Sequence, residues 1–209
     1  AALSPAVIIT DEGHRAQAAE MLEGTGRTAV LLEELAAHPA DADVLAAARS
    51  ASLDIDPLYA NFTSGSTGTP KGVLVSHRSV IDFIPVFCST LGIGEDDVIA
   101  NQAPFDFDVS VKDIYSMLYA RASMHIIPRA YFSAPVRLMD FLAERHITTL
   151  IWAVSAMCFV SIMNGFEYRL PEKISKVMFS GEVGRCGAMT VLPSLKISTS
   201  FIDDLRAGP

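Results

Sequence analysis

Short apolar runs alternate with amphipathic stretches along most of the chain. Continuous apolar runs of this length favour strands covered on both faces. They span residues 5–10, 28–32, 58–63, 73–75, 97–102, 122–127, 147–154 and 176–179. Amphipathic patterns predict helices over residues 14–22, 78–91, 110–120 and 135–145, whereas residues 36–52 form a helix or a loosely held connection. The order, mostly strand then helix, predicts an α/β fold with layered, mostly parallel sheets and flanking helices.

The composition is apolar for a chain of 209 residues: 50% are hydrophobic and 19% are charged, against about 25% charged in ordinary soluble domains. A membrane span is one explanation, because residues 147–166 contain no charged side chain and are long enough to cross a bilayer. This run opens with β-branched residues and contains Ser, Thr and Asn, so we interpret it as a buried strand followed by a helix. The composition is thus too apolar for a self-contained soluble domain of this size.

Charge and targeting signals narrow the partners and the compartment. The net charge of −8 disfavours nucleic acid, which requires a basic face. The apolar stretch near the N-terminus has no basic region before it, unlike a secretory signal. Cys88, Cys158 and Cys186 are odd in number and lack metal-ligand spacing, which favours free buried thiols. We therefore expect a cytoplasmic protein with no nucleic-acid or membrane partner.

Residues 63–72, with the sequence TSGSTGTPKG, form the most informative segment. Its glycines allow positive φ angles or close backbone approach, its hydroxyls are hydrogen-bond donors, and Lys71 adds a positive charge. Such a loop can surround phosphate groups. It is not a Walker A loop, because Pro70 and Gly72 flank the lysine where that pattern needs Gly-Lys-Ser/Thr. A flexible linker or a hairpin tip is the alternative interpretation.

The segment TSGSTGTPKGV resembles the phosphate-binding signature of the adenylate-forming superfamily, which includes acyl-CoA synthetases, luciferases and adenylation domains of nonribosomal peptide synthetases. The resemblance implies attack of a carboxylate on the α-phosphorus of ATP, giving an acyl-adenylate and pyrophosphate, with Mg²⁺ as the accompanying metal. It also implies a set of phosphate-binding residues. These are Thr63, Ser64, Gly65, Ser66, Thr67, Gly68 and Lys71.

A second motif lies in residues 101–111, NQAPFDFDVSV, whose core FDVS resembles the FDxS motif of amino-acid adenylation domains. The resemblance implies that Asp108 pairs with the α-ammonium group of the substrate. An acid at this position can also be a helix N-cap or a first-turn acid. Asp106 is a competitor for either role. The substrate interpretation favours an amino acid over a fatty acid, which has no ammonium group.

A third motif, residues 178–183 with the sequence MFSGEV, follows a predicted strand and resembles the FxGE segment of the same family. The resemblance implies that Ser180 and Gly181 border the substrate and nucleotide. The three motifs together look closest to D-alanine–carrier-protein ligases and related domains that adenylate small amino acids. Ser180 stands where that group has cysteine, so the identity and chirality of the amino acid stay open.

The resemblance ends near residue 183. We expect residues 1–183 to be part of the large N-terminal core, residues 184–209 to be a tail that departs from the family pattern, and the C-terminal lid domain to be absent. The family's Asn-x-Tyr-Gly-Pro-Thr-Glu segment, whose glutamate binds magnesium, has no match here. We assign neither a catalytic residue nor a metal ligand. The turn at residues 95–97 and three lysines, Lys173, Lys176 and Lys196, are interpreted as solvated.

The function implied by the resemblance is ATP-dependent adenylation of a small, D-alanine-like amino acid, followed by transfer to the phosphopantetheine thiol of a carrier protein. This chain would be an incomplete piece of that enzyme. One alternative is a non-catalytic remnant or interaction module with the same fold. The other is activation of a simple carboxylate of the acyl-CoA-ligase type.

Overall fold

A computed structural model describes residues 7–63, 71–180 and 196–198. The chain divides into two compact units, Ala1–Ser76 and His77–Pro209, which are described separately. The predicted division at residue 183 is a different boundary and stays a prediction.

The first unit contains two strand pairs. Its strands are β1 (Ile8–Thr10), β2 (Ala29–Leu31), β3 (Pro57–Thr63) and β4 (Lys71–Ser76), and its helices are α1 (Arg15–Leu22), α2 (Leu32–Ala37) and α3 (Ala42–Ala51). Strands β1 and β2 pair in parallel around α1. Strands β3 and β4 pair antiparallel. Helix α2 begins where the pattern predicts the end of a strand, because β2 is only three residues long.

The second unit is built around one parallel sheet. Its strands are β5 (Val98–Asn101), β6 (Ser123–Ile126), β7 (Thr149–Ala153), β8 (Lys176–Ser180) and β9 (Lys196–Ser198), and its helices are α4 (His77–Leu91), α5 (Ser110–Ala120), α6 (Pro135–Glu144), α7 (Val154–Ile162) and α8 (Gly165–Tyr168). The strand order is β6-β5-β7-β8-β9. Strand β9 falls in the tail for which the sequence predicts no element.

The core of the second unit lies between β7 and the helices around it. It includes Leu138, Leu142, Leu150 and Trp152, all of which are fully or almost fully buried. The Trp152 indole Nε1 donates a hydrogen bond to the Ala100 carbonyl oxygen at 2.9 Å, which satisfies the polar atom of this side chain. Burial on both faces explains why these strands read as continuous apolar runs.

The α/β prediction is confirmed, with a parallel sheet and flanking helices in the second unit. The charge-free run of residues 147–166 is divided between β7 and the helices that follow it, as predicted. Within the described ranges, no helix is long and apolar enough to cross a membrane.

Two surface predictions are wrong. Asp97 is buried, and Lys176 is mostly buried, with its ammonium Nζ 2.6 Å from Asp97 Oδ1 and 2.7 Å from Oδ2. Asp97 directly precedes β5 and Lys176 begins β8, and β7 lies between these two strands. The pair therefore joins distant segments of the chain, which the local sequence does not show. Charged residues are buried when they find such partners.

The cysteine prediction is only partly right. Cys88 is a buried free thiol, and burial raises the pKa of that thiol. Cys158 is disulfide-bonded, so the expectation of a free thiol is wrong there. Cys186 lies outside the described residues. The cytoplasmic localisation stays a prediction.

Candidate functional site

The glycine-rich segment connects the antiparallel strands β3 and β4. Thr63 and Lys71 are register partners, so the two ends of the segment lie on neighbouring strands. Lys71 is exposed at the start of β4. The predicted phosphate-binding residues between them fall outside the described residues. These are Ser64, Gly65, Ser66, Thr67 and Gly68. The strands on either side of the segment therefore pair as in the hairpin interpretation. This pairing shows how the segment is anchored, and it does not show what the segment binds.

Close packing across the hairpin favours glycine at position 72. Gly72 is the register partner of Phe62, and a Cβ atom at position 72 would lie 3.2 Å from two carbons of the Phe62 ring. The glycine thus lets the aromatic ring lie close to the opposite strand. This contact joins the last residue of the segment, Gly72, to the residue directly before the segment, Phe62.

The candidate substrate residues of the second unit follow strands that end at the same edge of its sheet. Strand β5 ends at Asn101, and the Ala153 end of β7 is the register partner of Ser180 at the end of β8. In open α/β sheets, ligands bind outside the carboxyl ends of the strands. Ser180 thus ends β8 at this edge of the sheet, and Gly181 lies outside the described residues.

Residues 102–109 connect β5 to α5 and carry Asp108. The Gln102 side chain accepts a hydrogen bond from the Ala153 backbone N–H at 3.2 Å, which ties the start of this loop to β7. At its other end, the Phe107 carbonyl accepts bonds from the Ser110 backbone N–H at 3.0 Å and from the Ser110 hydroxyl at 2.8 Å. Specific hydrogen bonds therefore hold both ends of the loop.

Asp108 is exposed and does not cap α5. The residue at the cap position is Val109, and no side chain caps the helix there. Among the described residues, no hydrogen bond or ion pair occupies the Asp108 carboxylate. Asp106 is also exposed. The capping interpretation of Asp108 is thus not supported, and both carboxylates are open to a ligand.

A buried polar pair behind this loop is missing from the sequence predictions. The Asn101 amide nitrogen donates to Asp113 Oδ2 at 2.5 Å and to the Ala103 carbonyl at 3.1 Å. Asp113 is completely buried. Burial raises the pKa of Asp113 to about 7, while the bond from Asn101 and the charge of Lys112 act in the opposite direction.

The α5 sequence holds a signal for this pair. Ser110, Asp113 and Ser116 recur at intervals of three residues, and all three are buried. Residues three apart lie on the same side of a helix. Polar residues at the spacing expected of apolar core positions indicate that polar side chains are buried on this side of α5.

Lys112 brings a positive charge next to the candidate substrate carboxylate. Burial lowers the pKa of Lys112, and the nearby charges of Asp113 and Asp108 partly restore it. The charges of both carboxylates thus favour the charged form of Lys112.

The described part of the chain offers no evident metal centre. It contains no group of three or more His, Cys, Asp or Glu side chains that could hold a metal ion. We assign no magnesium ligand among these residues.

Parallel strands, connecting helices and polar residues at the carboxyl edge define the class of open α/β ligand-binding proteins. Within this class, the family model described as AMP-binding enzyme matches residues 2–194. The chain belongs to this family, which confirms the resemblance indicated by its motifs.

Curated relatives of the chain include carrier-protein ligases. It is 32% identical over 150 residues to the D-alanine–D-alanyl carrier protein ligase of Bacillus velezensis, covering 72% of this chain and 29% of that protein. It is 33% identical over 122 residues to the L-proline–[L-prolyl-carrier protein] ligase of Streptomyces coelicolor, covering 58% and 23%. The chain thus spans less than a third of each of these relatives.

Solved structures share the fold. McyG A-PCP complexed with phenylalanyl-adenylate gives a TM-score of 0.71 at 14% identity, covering 90% of this chain and 31% of that one. CmiS6 gives a TM-score of 0.55 at 29% identity, covering 69% and 34%. The similarity to McyG concerns the fold alone.

Proposed function

We propose that this chain supplies the phosphate loop and the amino-acid site of an enzyme that uses ATP to convert a small amino acid into an aminoacyl-adenylate. The observation that carries the proposal is the Asp108 carboxylate, which is exposed, caps no helix and follows the carboxyl end of β5. An exposed carboxylate on a hydrogen-bonded loop suits an ammonium group. The named carrier-protein ligases support this substrate class.

In the proposed reaction, the amino-acid carboxylate attacks the α-phosphorus of ATP and pyrophosphate leaves. Backbone N–H groups, hydroxyls and the Lys71 ammonium would hold the phosphates and stabilise the charge that develops on the leaving group. Asp108 would bind the substrate ammonium and so orient its carboxylate, and Ser180 and Gly181 would border the substrate. The remaining phosphate-loop residues would be Thr63, Ser64, Gly65, Ser66, Thr67 and Gly68.

The acceptor that we propose is the phosphopantetheine thiol of a carrier protein. The relatives named above are carrier-protein ligases, which supports such a partner. Because the reaction consumes ATP, we place it in the cytoplasm. The amino acid is small and D-alanine-like in this proposal.

A second candidate is activation of a carboxylate that lacks an ammonium group. The specific observation in its favour is Lys112, whose positive charge interacts with Asp108. A cation beside Asp108 competes with a substrate ammonium for the same carboxylate. This candidate predicts that acetate or a longer simple acid is used in preference to amino acids.

Amino-acid-dependent ATP–pyrophosphate exchange tests the proposal in the full-length protein that contains this chain. We expect exchange with one or more of glycine, D-alanine, L-alanine and L-proline, and none with acetate or hexanoate. Asp108→Ala should lower kcat/KM for the amino acid by about 30-fold or more, as expected for loss of one partner of a charge pair. The matched control Asp106→Ala removes an exposed carboxylate from the same loop and should change kcat/KM by less than about threefold, since rim charges contribute little.

The outcomes separate the alternatives. Unchanged exchange in Asp108→Ala, or a larger effect of Asp106→Ala, would contradict the role of Asp108. Exchange driven by simple acids but by no amino acid would favour the second candidate. A folded full-length protein that exchanges with none of these substrates would favour a non-catalytic remnant or interaction module.

A further inference from the structure

We propose that Asp113 is a positioning residue, which acts through Asn101 to hold the loop of residues 102–109 so that Asp108 faces the substrate ammonium group. The inference rests on the proposed function of Asp108. In this proposal Asp113 contacts no substrate and affects the site only through Asn101 and the loop.

The contacts form a continuous path from Asp113 to the backbone of the loop. The Asp113 carboxylate accepts from the Asn101 amide at 2.5 Å, and the same amide nitrogen donates to the Ala103 carbonyl at 3.1 Å. One amide group has two N–H donors, so both bonds can be made at once. Asp113 thereby orients the amide that holds the first turn of the loop.

The other end of the loop is tied to the helix that carries Asp113. Ser110 opens α5 and bonds to the Phe107 carbonyl through both its backbone N–H and its hydroxyl. Asp108 lies between these two anchor points in the sequence. Fixing Asp113 against Asn101 therefore fixes both ends of the segment that presents Asp108.

Burial makes a purely structural role for Asp113 costly. Asp113 is completely buried, and its second carboxylate oxygen, Oδ1, has no hydrogen-bond partner among the described residues. An unsatisfied buried acceptor is unfavourable, and an apolar residue of similar size would avoid it. A residue that costs stability in this way is expected where it supports a site.

Two variants and a control distinguish positioning from packing. Asp113→Ala removes the partner of Asn101. The double variant N101D/D113N restores a carboxylate–amide pair with the roles exchanged, but an ionised Asp side chain at position 101 donates nothing to the Ala103 carbonyl. Ser116→Ala is the control, because Ser116 is equally buried on the same side of α5. Each variant is made in the full-length protein.

Two readouts are measured: backbone hydrogen exchange of residues 102–110 without ligand, and KM for the amino acid and for ATP in pyrophosphate exchange. For Asp113→Ala we expect about tenfold faster hydrogen exchange in this loop and about tenfold higher KM for the amino acid, the upper range for loss of one hydrogen bond. KM for ATP should stay unchanged. Ser116→Ala should change neither KM.

The double variant is the decisive case. If Asp113 positions the loop, thermal stability returns towards the wild-type value while KM for the amino acid stays raised. Recovery of KM together with stability would overturn the proposal, because packing alone would then explain Asp113. If Asp113→Ala does not fold, the double variant still gives this comparison.

The failure of the proposed function looks different. In that case the wild-type protein shows no amino-acid-dependent exchange, and Asp108 has no ammonium group to face. Backbone hydrogen exchange of residues 102–110 still tests whether Asp113 holds the loop. An unchanged exchange rate in the double variant and in Asp113→Ala would overturn that role. Wild-type activity with unchanged KM values in both variants overturns the positioning role alone.

Discussion

The Lys176 ammonium and the Asp97 carboxylate form a bidentate ion pair at the starts of β8 and β5, with N–O distances of 2.6 and 2.7 Å. The Thr148 hydroxyl donates to the same carboxylate at 2.6 Å, and the Gly94 backbone N–H donates at 2.8 Å. Burial acts to raise the pKa of Asp97, but the bonds from Lys176, Thr148 and Gly94 outweigh it, and the pKa is lowered.

Lys176→Met should destabilise the second unit. It leaves the buried Asp97 carboxylate without its cation, which costs about 3 kcal/mol in the free energy of unfolding, near the lower end for a buried pair. Urea denaturation followed by circular dichroism measures the change. The control Lys173→Met alters an exposed lysine and should stay within about 0.5 kcal/mol of wild type. Equal effects of the two variants would refute the assigned role of the pair.

The same ion pair predicts a loss of stability in acid. The pKa of Asp97 is lowered in the folded state from the value of 3.8 for an unperturbed aspartate. The stability that this depressed pKa contributes is therefore complete above pH 4 and is lost as the pH falls through the folded-state pKa. Wild type should be more stable than Asp97→Asn at pH 6, and the difference should shrink below about pH 4. A difference that is constant from pH 6 to pH 3 would contradict this assignment.

The raised pKa of Asp113 predicts that the free energy of unfolding changes with pH in the opposite direction. Its pKa is raised from 3.8 to about 7 in the folded state, so between these values the folded chain holds a proton that the unfolded chain has released. Stability should therefore fall as the pH rises from 4 to 7, with a slope of at most about 1.4 kcal/mol per pH unit. The bond from Asn101 and the charge of Lys112 lower this pKa and so limit the pH range of the effect.

Asp113→Asn has no titrating group at this position and should lack that component of the slope. Denaturation of both proteins at several pH values between 4 and 8 gives the comparison. Parallel stability curves for the wild type and the variant would show that Asp113 does not titrate in this range.

Close packing around Gly165, the first residue of α8, predicts a steric effect of substitution there. A Cβ atom there would lie 2.9 Å from Val160 Cγ1 and 3.2 Å from the Val160 carbonyl oxygen. Because the neighbouring backbone must shift, Gly165→Ala should cost about 1–3 kcal/mol of unfolding free energy. Gly94→Ala is the control, since position 94 has open space around it, and it should be neutral or stabilising by up to about 1 kcal/mol. Thermal denaturation measures the stability of both variants. A Gly165→Ala protein that is at least as stable as the Gly94→Ala protein would contradict this close packing.

Local patterns predicted the elements well, because burial and periodicity are properties of short segments. The apolar run that contains Trp152 is a strand in the structure, and the Ala-rich residues for which the pattern predicts a helix or a loosely held connection contain α3. Polar contacts between distant segments were missed. Asp97 and Lys176 are 79 residues apart, and nothing around either residue indicates that the sheet brings them together.

The sequence by itself determined the α/β class, the family and the motifs that carry the proposed chemistry. These depend on residue order within a few positions, on backbone freedom at glycine and on the placement of hydroxyls and charges. Only the tertiary structure decided that Asp108 caps no helix, and that a buried carboxyl, Asp113, lies behind its loop. Such facts arise when helices and strands pack, because packing removes water from some polar groups and brings partners from distant parts of the chain to others.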